Sequence, residues 1–142
     1  MSFVGKKITD NEFIDMIPKM DDIPVIEEDK FSEINDGFVS FYKSGVCYAL
    51  LKGEIKSIMF FLKPDDEFDR YNGCIFDFDD TSLLTFDIIS NKLGGPVSKS
   101  KEGGVLLFGE KIFWAKFKME NCFFRFEYDE KKIARKVILS SL

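Results

Sequence analysis

The chain contains no histidine. That removes the commonest general base near neutral pH and the commonest metal ligand, and with them most metal-hydrolase and imidazole-dependent chemistry. Cysteine is scarce as well. Cys47, Cys74 and Cys122 are odd in number, far apart and without a CxxC pair, which argues against both a disulfide framework and a zinc site. Each lies in or beside an apolar run, where a free thiol behaves as a small hydrophobe, so a reducing compartment is expected. No apolar run approaches the length of a membrane span, and the opening "MSFVGKKITD" lacks the apolar core of a signal peptide. A cytoplasmic protein without a membrane partner is the expectation. Positive charge is in deficit too: 20 Lys and Arg against 25 Asp and Glu leave a net charge of −5, which weighs against binding nucleic acid.

What the chain has in quantity is phenylalanine, 17 residues of it in 142. So many rings call for a pleated, half-buried interior in a single domain of this length. Helical signals occur twice. In "ITDNEFIDMI", Thr9 and Glu12 form a capping box with Ile8 and Phe13 as its staple, and Phe13, Met16, Ile17 and Met20 make an apolar stripe. In "TFDIISNKLGG", Thr85 is the N-cap, Ile88, Ile89 and Leu93 form the expected buried face, and Gly94 or Gly95 is the stop. A short strand is expected around Val25. After each helical signal come short apolar runs parted by turn residues: "FVSFYKS", "VCYALL" and "IKSIMFFL", then "VLLF", "IFWAKFK", "CFFRFEY" and "ARKVIL". From helix cap to last strand the separation is 46 residues for Thr9 to Ile55 and 48 for Thr85 to Ile133. The expected fold class is therefore α+β: one compact domain over residues 1–142, made of two helix-plus-antiparallel-meander halves in tandem, 1–64 and 72–142, joined by an acidic connection.

That connection and the stretch after it carry most of the candidate chemistry. "CIFDFDDTSLL" contains Asp-x-Asp-x-Thr at Asp77, the opening motif of the haloacid dehalogenase phosphatases, in which Asp77 would be the nucleophile and Asp79 its acid/base partner. Those enzymes need a doubly wound parallel sheet, with further aspartates downstream for magnesium. Here the motif follows an antiparallel pattern and too little chain remains, so the phosphatase is the weakest alternative. "DDEFD" and "DFDD" lack the glycine and bidentate glutamate of a calcium loop. The glycine pairs at Gly94 and Gly103 lack the lysine of a phosphate loop and read as turns. No enzyme activity, metal or cofactor is expected.

Asp77, Asp79 and Asp80 precede a helix N-terminus, where negative charge is favoured by the dipole alone. The functional alternative groups them with Asp65, Asp66, Glu67 and Asp69 as an acidic surface with Phe68 and Tyr71 interleaved, able to meet a basic protein partner.

A resemblance favours that alternative. A Gly-led apolar strand (Gly45) precedes a strand with Ile55 and Ile58. A Tyr-x-Gly stretch follows (Tyr71, Gly73), then a Thr-capped helix ending in Leu-Gly-x-Pro (Thr85, Ile89, Leu93, Gly94, Pro96), and a closing hairpin with Phe126, Tyr128, Ile133 and Val137. This pattern, over about two thirds of the chain, resembles small bacterial immunity proteins of polymorphic-toxin and contact-dependent growth inhibition systems. "IFDFDD" stands where such proteins often carry a Leu-Pro turn. The resemblance implies a cytoplasmic protein that binds a cognate protein toxin, such as a basic nuclease, and occludes its active site or substrate groove. It would be a monomer or a weak homodimer. A non-catalytic structural module that pairs with its own kind is the other alternative.

Overall fold

The computed structural model describes residues 22–28, 37–65, 67–72, 83–107, 109–119 and 122–141. Among them are nine strands and one helix. β1 (Val25–Glu28), β2 (Gly37–Phe41), β3 (Val46–Leu51) and β4 (Glu54–Phe61) form an antiparallel meander. Helix α1 (Phe86–Leu93) follows, then β5 (Ser98–Lys99) and β6 (Val105–Leu107), and a second meander of β7 (Glu110–Lys118), β8 (Cys122–Tyr128) and β9 (Ala134–Ser141). The two meanders join through antiparallel pairing of β4 with β9, giving the order β1-β2-β3-β4-β9-β8-β7-β5, with β6 also on the outer side of β7.

This overturns the α+β expectation of two helix-plus-meander halves. The described chain is mostly one antiparallel β-sheet with a single eight-residue helix. The helix expected from Thr9 lies outside the described residues. The physical reason for one sheet is the free edge that each meander's last strand would otherwise show. Pairing β4 with β9 satisfies both rows of backbone N–H and C=O groups at once.

The pairing also builds the core. Register aligns Val39, Tyr48, Ile58, Leu139, Phe124 and Phe117 in one row across six strands, and Phe41, Val46, Phe60, Val137, Phe126 and Ala115 in the next. Because side chains alternate along a strand, both rows share one face. Most of these residues are fully buried. Slipping any strand by one residue would turn its apolar set outward, so this face fixes the register.

Turn chemistry matches the sequence expectation. Lys52 and Gly53 join β3 to β4 with φ of 54° and 76°, the double left-handed requirement of a two-residue hairpin. α1 begins where expected: Thr85 Oγ1 accepts the Ile88 N–H at 3.3 Å, and Gly94 closes the helix with φ 85°. Its buried face differs from expectation. Ile89 is fully buried and Phe86 and Leu93 pack on the core, whereas Ile88 is 45% exposed. Residues 86, 89 and 93 keep the three-four spacing of one helix face, and Ile88 stands about 100° away from Ile89 on the wheel.

Candidate functional site

The connection after β4 doubles back over the first meander and is held there at several points. Asp65 and Phe68 exchange backbone hydrogen bonds, the Asp69 N–H donates to Tyr42 O at 2.7 Å, and the Tyr71 N–H donates to Phe61 O at 2.7 Å. Gly45 makes this close approach possible. It has φ +71°, and a Cβ there would stand 2.4 Å from Asp69 O and 2.6 Å from Tyr71 N.

The rings of this connection turn towards the body of the protein. Phe68 stacks on Phe61 at 4.1 Å between centroids and leans on Tyr42 at 4.5 Å, while Tyr71 packs on Phe60 at 4.8 Å. Asp65 is engaged as well: its Oδ2 accepts from Arg135 Nη2 at 3.0 Å, and the same guanidinium reaches Glu110 at 3.2 Å. Partial burial alone would lower the Arg135 pKa, but the two carboxylates outweigh it and hold the guanidinium above its ordinary value. Glu67 and Asp69 are exposed. Of the nine residues singled out in the sequence, Asp65, Glu67, Phe68, Asp69 and Tyr71 are thus brought into one segment. Asp66, Asp77, Asp79 and Asp80 lie outside the described residues.

Beside this segment is a depression of about 540 Å³ whose walls include Lys63, Asp65, Glu110, Asp129 and Arg135. Its charges are largely spent on one another, through Arg135 with its two carboxylates and through the Lys63–Asp129 pair.

A second concavity, missed in the sequence, has the opposite character. It is a cleft of about 470 Å³ between the start of α1, the segment after β5 and the β8–β9 turn. Each wall is fixed by the backbone. Leu84 O accepts the Ala134 N–H at 2.7 Å and Thr85 bridges to Ile133, which ties the helix entry to β9. The Ser100 N–H donates to Trp114 O at 2.9 Å, and Ser100 Oγ accepts the Trp114 N–H at 3.0 Å. In the turn, Asp129 Oδ1 accepts the N–H groups of Lys131 and Ile133, and Lys132 takes the left-handed conformation at φ 60°.

Lys99, Lys101, Lys131 and Lys132 rim the cleft against the two carboxylates of Asp87 and Glu102. The net excess of positive charge stands out in a chain of net charge −5. Lys99 Nζ lies 5.7 Å from the Phe86 ring centre and Lys132 Nζ 5.5 Å from that of Phe113, so rings and cations share the walls. Tyr128, 2% exposed, also lines the cleft, and among the described residues its buried hydroxyl has no hydrogen-bond partner. An unmet buried hydroxyl costs on the order of 1–3 kcal/mol, and burial also pushes the phenol pKa up. The lysines come from "SKSKEGG" and "DEKK", which read in sequence as turn punctuation. No local signal brings residues 99–102 beside 131–132.

Elsewhere, Cys47 is buried against Ser40, with Sγ 3.4 Å from Oγ, and burial pushes its thiol pKa up. Among the described residues no group of three His, Cys, Asp or Glu side chains is placed to hold a metal ion, and no helix is long and apolar enough to cross a membrane.

No family model matches the chain. A solved structure, that of a DUF4309 family protein (YjgB) from Bacillus subtilis, aligns with 98% of this chain and 72% of its own, at 10% identity and a TM-score of 0.44. A likeness of that size carries no argument about fold or function.

Proposed function

We propose that this chain is a cytoplasmic immunity protein, which binds a cognate protein toxin and blocks its active site or substrate groove. The sequence resemblance motivates the reading, and the backed acidic segment from Asp65 to Tyr71 is the observation that carries it. Glu67 and Asp69 project from a backbone already pinned to the β2–β3 turn and to β4, and ring stacking beneath them limits the freedom that binding would cost. Fixed exposed carboxylates suit the steering of a basic partner, such as a nuclease. Phe68 and Tyr71 serve this role as supports rather than as free anchors.

The test is binding to the toxin domain encoded beside this chain. Charge reversal by Glu67→Lys with Asp69→Lys is expected to slow association by about tenfold at low salt, with unchanged thermal stability. An association rate that ignores the reversal would remove this segment as the contact surface. Absence of any complex with the neighbouring gene product would remove the immunity reading itself.

A second reading is a module that pairs with its own kind through a sheet edge. Among the described strands β1 is a margin of the sheet, with Ile26 57% and the preceding Ile23 83% exposed. Light scattering on the isolated protein separates the two: a monomer is expected under the immunity reading, and a tight dimer would favour edge pairing.

A further inference from the structure

The side of the second meander that faces away from the core carries a surface of opposite charge to the acidic segment. Register sets Trp114 opposite Glu127, Lys116 opposite Arg125 and Lys118 opposite Phe123. These six alternate along β7 and β8 with the buried Phe117 and Phe126, so they share the outer face. None of the six is buried, and Lys118 and Arg125 are exposed. Cations lie across both rings on the diagonal: Arg125 Cζ is 4.7 Å from the centre of Trp114, and Lys116 Nζ is 4.1 Å from that of Phe123.

Two observations separate this face from an ordinary solvated one. Lys116 and Arg125 stand directly opposite each other, a like-charge pair that disfavours the ladder. Among the described residues, moreover, Lys116, Lys118 and Arg125 have no carboxylate partner. Glu127, the one carboxylate of the six, is engaged by Lys136 at 3.7 Å. Net charge weighs against nucleic acid for the chain as a whole, but that charge is unevenly divided. Residues 83–142 carry 11 Lys and Arg against 7 Asp and Glu, whereas residues 1–82 carry 9 against 18.

Cations without carboxylates, two of them laid over rings, complement a polymer that repeats both negative charge and flat rings. An acidic polypeptide offers the charge without the rings. A lipid surface needs rings free to insert, and here cations cover them. A base, by contrast, stacks on a guanidinium plane as well as on a ring, so the Arg125–Trp114 pair remains a platform. We infer that the outer face of β7 and β8 binds single-stranded nucleic acid, with backbone phosphates between Lys116 and Arg125 and at Lys118, and a base on the Arg125–Trp114 pair. The inference does not rest on the toxin-binding reading, whose surface is the acidic connection after β4.

The experiment titrates the full chain with short oligouridylate and, separately, oligothymidylate. Binding is read by anisotropy of the labelled oligomer and by the emission of Trp114, the only tryptophan in the chain. Saturable binding with a dissociation constant of about 10 µM at low salt is expected, with quenching of Trp114. Preference for one oligomer would assign RNA or DNA, and equal binding a platform indifferent to the sugar. Three phosphate contacts give a salt slope of about −2, so a fourfold rise in salt should weaken binding about twentyfold. Lys116→Gln with Lys118→Gln should weaken binding at least tenfold, reduce the slope to about −0.7 and leave the melting temperature in place. Arg125→Lys keeps the charge and removes the plane, so it should keep the slope yet weaken binding about fivefold. No saturable binding below about 1 mM would overturn the assignment. So would polyglutamate or an anionic vesicle that binds as well as the oligomer, a duplex preferred to the single strand, or undiminished affinity in the double lysine variant.

Discussion

The two meanders lie in one sheet, yet more rings pack around the core of the second than around that of the first. Around β2, β3 and β4 the buried set is mainly aliphatic: Val39, Val46, Leu50, Ile55 and Ile58, with Leu139 from β9 and one edge-to-face ring pair, Phe41 and Tyr48 at 5.9 Å. Around β7, β8 and β9 the fully buried set is also mostly aliphatic, but more rings gather on it: Phe117, Phe126 and Tyr128 are buried, and Phe60, Tyr71, Phe86, Phe113 and Phe124 pack against them. Phe117 meets Phe126 edge-on at 5.8 Å, Tyr128 stands 6.5 Å from Phe126, and Phe86 of α1 reaches both Phe117 and Tyr128. The covering differs too. The first meander has the connection after β4 tied to one end of it, at Tyr42, Gly45 and Phe61, and the second has α1. A helix of eight residues is only about 12 Å long, too short to roof a three-stranded meander from end to end. It leaves the Tyr128 end open, and there the lysine-rimmed cleft lies. Among the described residues, then, a connection tied to the strand ends finishes one half, and a short helix over rings finishes the other.

The comparison can be broken first through the core. Phe126 is fully buried and touches rings on both sides, so Phe126→Ala should cost about 4 kcal/mol, read as a lower urea midpoint with little change in slope. Ile55→Val in the first meander should cost only about 1 kcal/mol, because one methyl is lost from a residue whose neighbours can close in. A cost for Phe126→Ala no larger than that for Ile55→Val would show that the Phe126 ring is not packed as its burial indicates.

A second test targets the connection. Gly45→Ala forces a Cβ into the backbone of residues 69 and 71 at a left-handed position, and should cost about 3 kcal/mol or more. Gly53→Ala shares the positive φ but meets nothing within 4 Å, so it should cost only about 1 kcal/mol. The difference between them measures how tightly the connection is laid down. If the two substitutions are equally mild, the connection is not part of the folded body.

The smallest effect is electrostatic and lies at the β8–β9 turn. Burial pushes the Asp129 pKa up, but hydrogen bonds from Lys63 and from the N–H groups of Ile133 and Lys131 outweigh it and hold the carboxyl below its ordinary value of 3.8. A carboxyl lowered on folding adds stability that is fully present above its unfolded pKa and is lost as pH falls through the lower folded value. Asp129→Asn should therefore lower stability by about 1 kcal/mol or less at neutral pH, since Lys63 is well exposed. The gap from the parent protein should close on acidification below about pH 4. A gap that stays constant to pH 3 would show that the turn needs the shape of Asp129 and not its charge.

Much of the local structure was legible. The apolar runs "VCYALL" and "CFFRFEY", the Lys52-Gly53 hairpin, the Thr85 cap and the Gly94 stop all act over a few residues, and each stands where its chemistry indicates. β5 was not legible, because Ser98 and Lys99 carry no apolar signal and are a strand only by pairing with Ala115 and Lys116. Ile88 was misjudged because an apolar residue on a short helix does not reveal which way the helix will be turned. The candidate site was the least legible part. Asp65 and Phe68 read as surface groups, but Arg135 and Phe61, far along the chain or behind it, draw them inward.

By itself, then, the sequence determined where the longer apolar strands lie, which turns are tight and where the helix is capped, since these depend on neighbours within a turn or two. Only the tertiary structure decided that β4 would pair with β9, that one sheet would replace two helix-plus-meander halves, and that four lysines from two distant segments would rim one cleft. Edge pairing and charge proximity depend on distances through space, and residues about 70 apart in the chain, such as Asp65 and Arg135, acquire such distances only when the sheet closes.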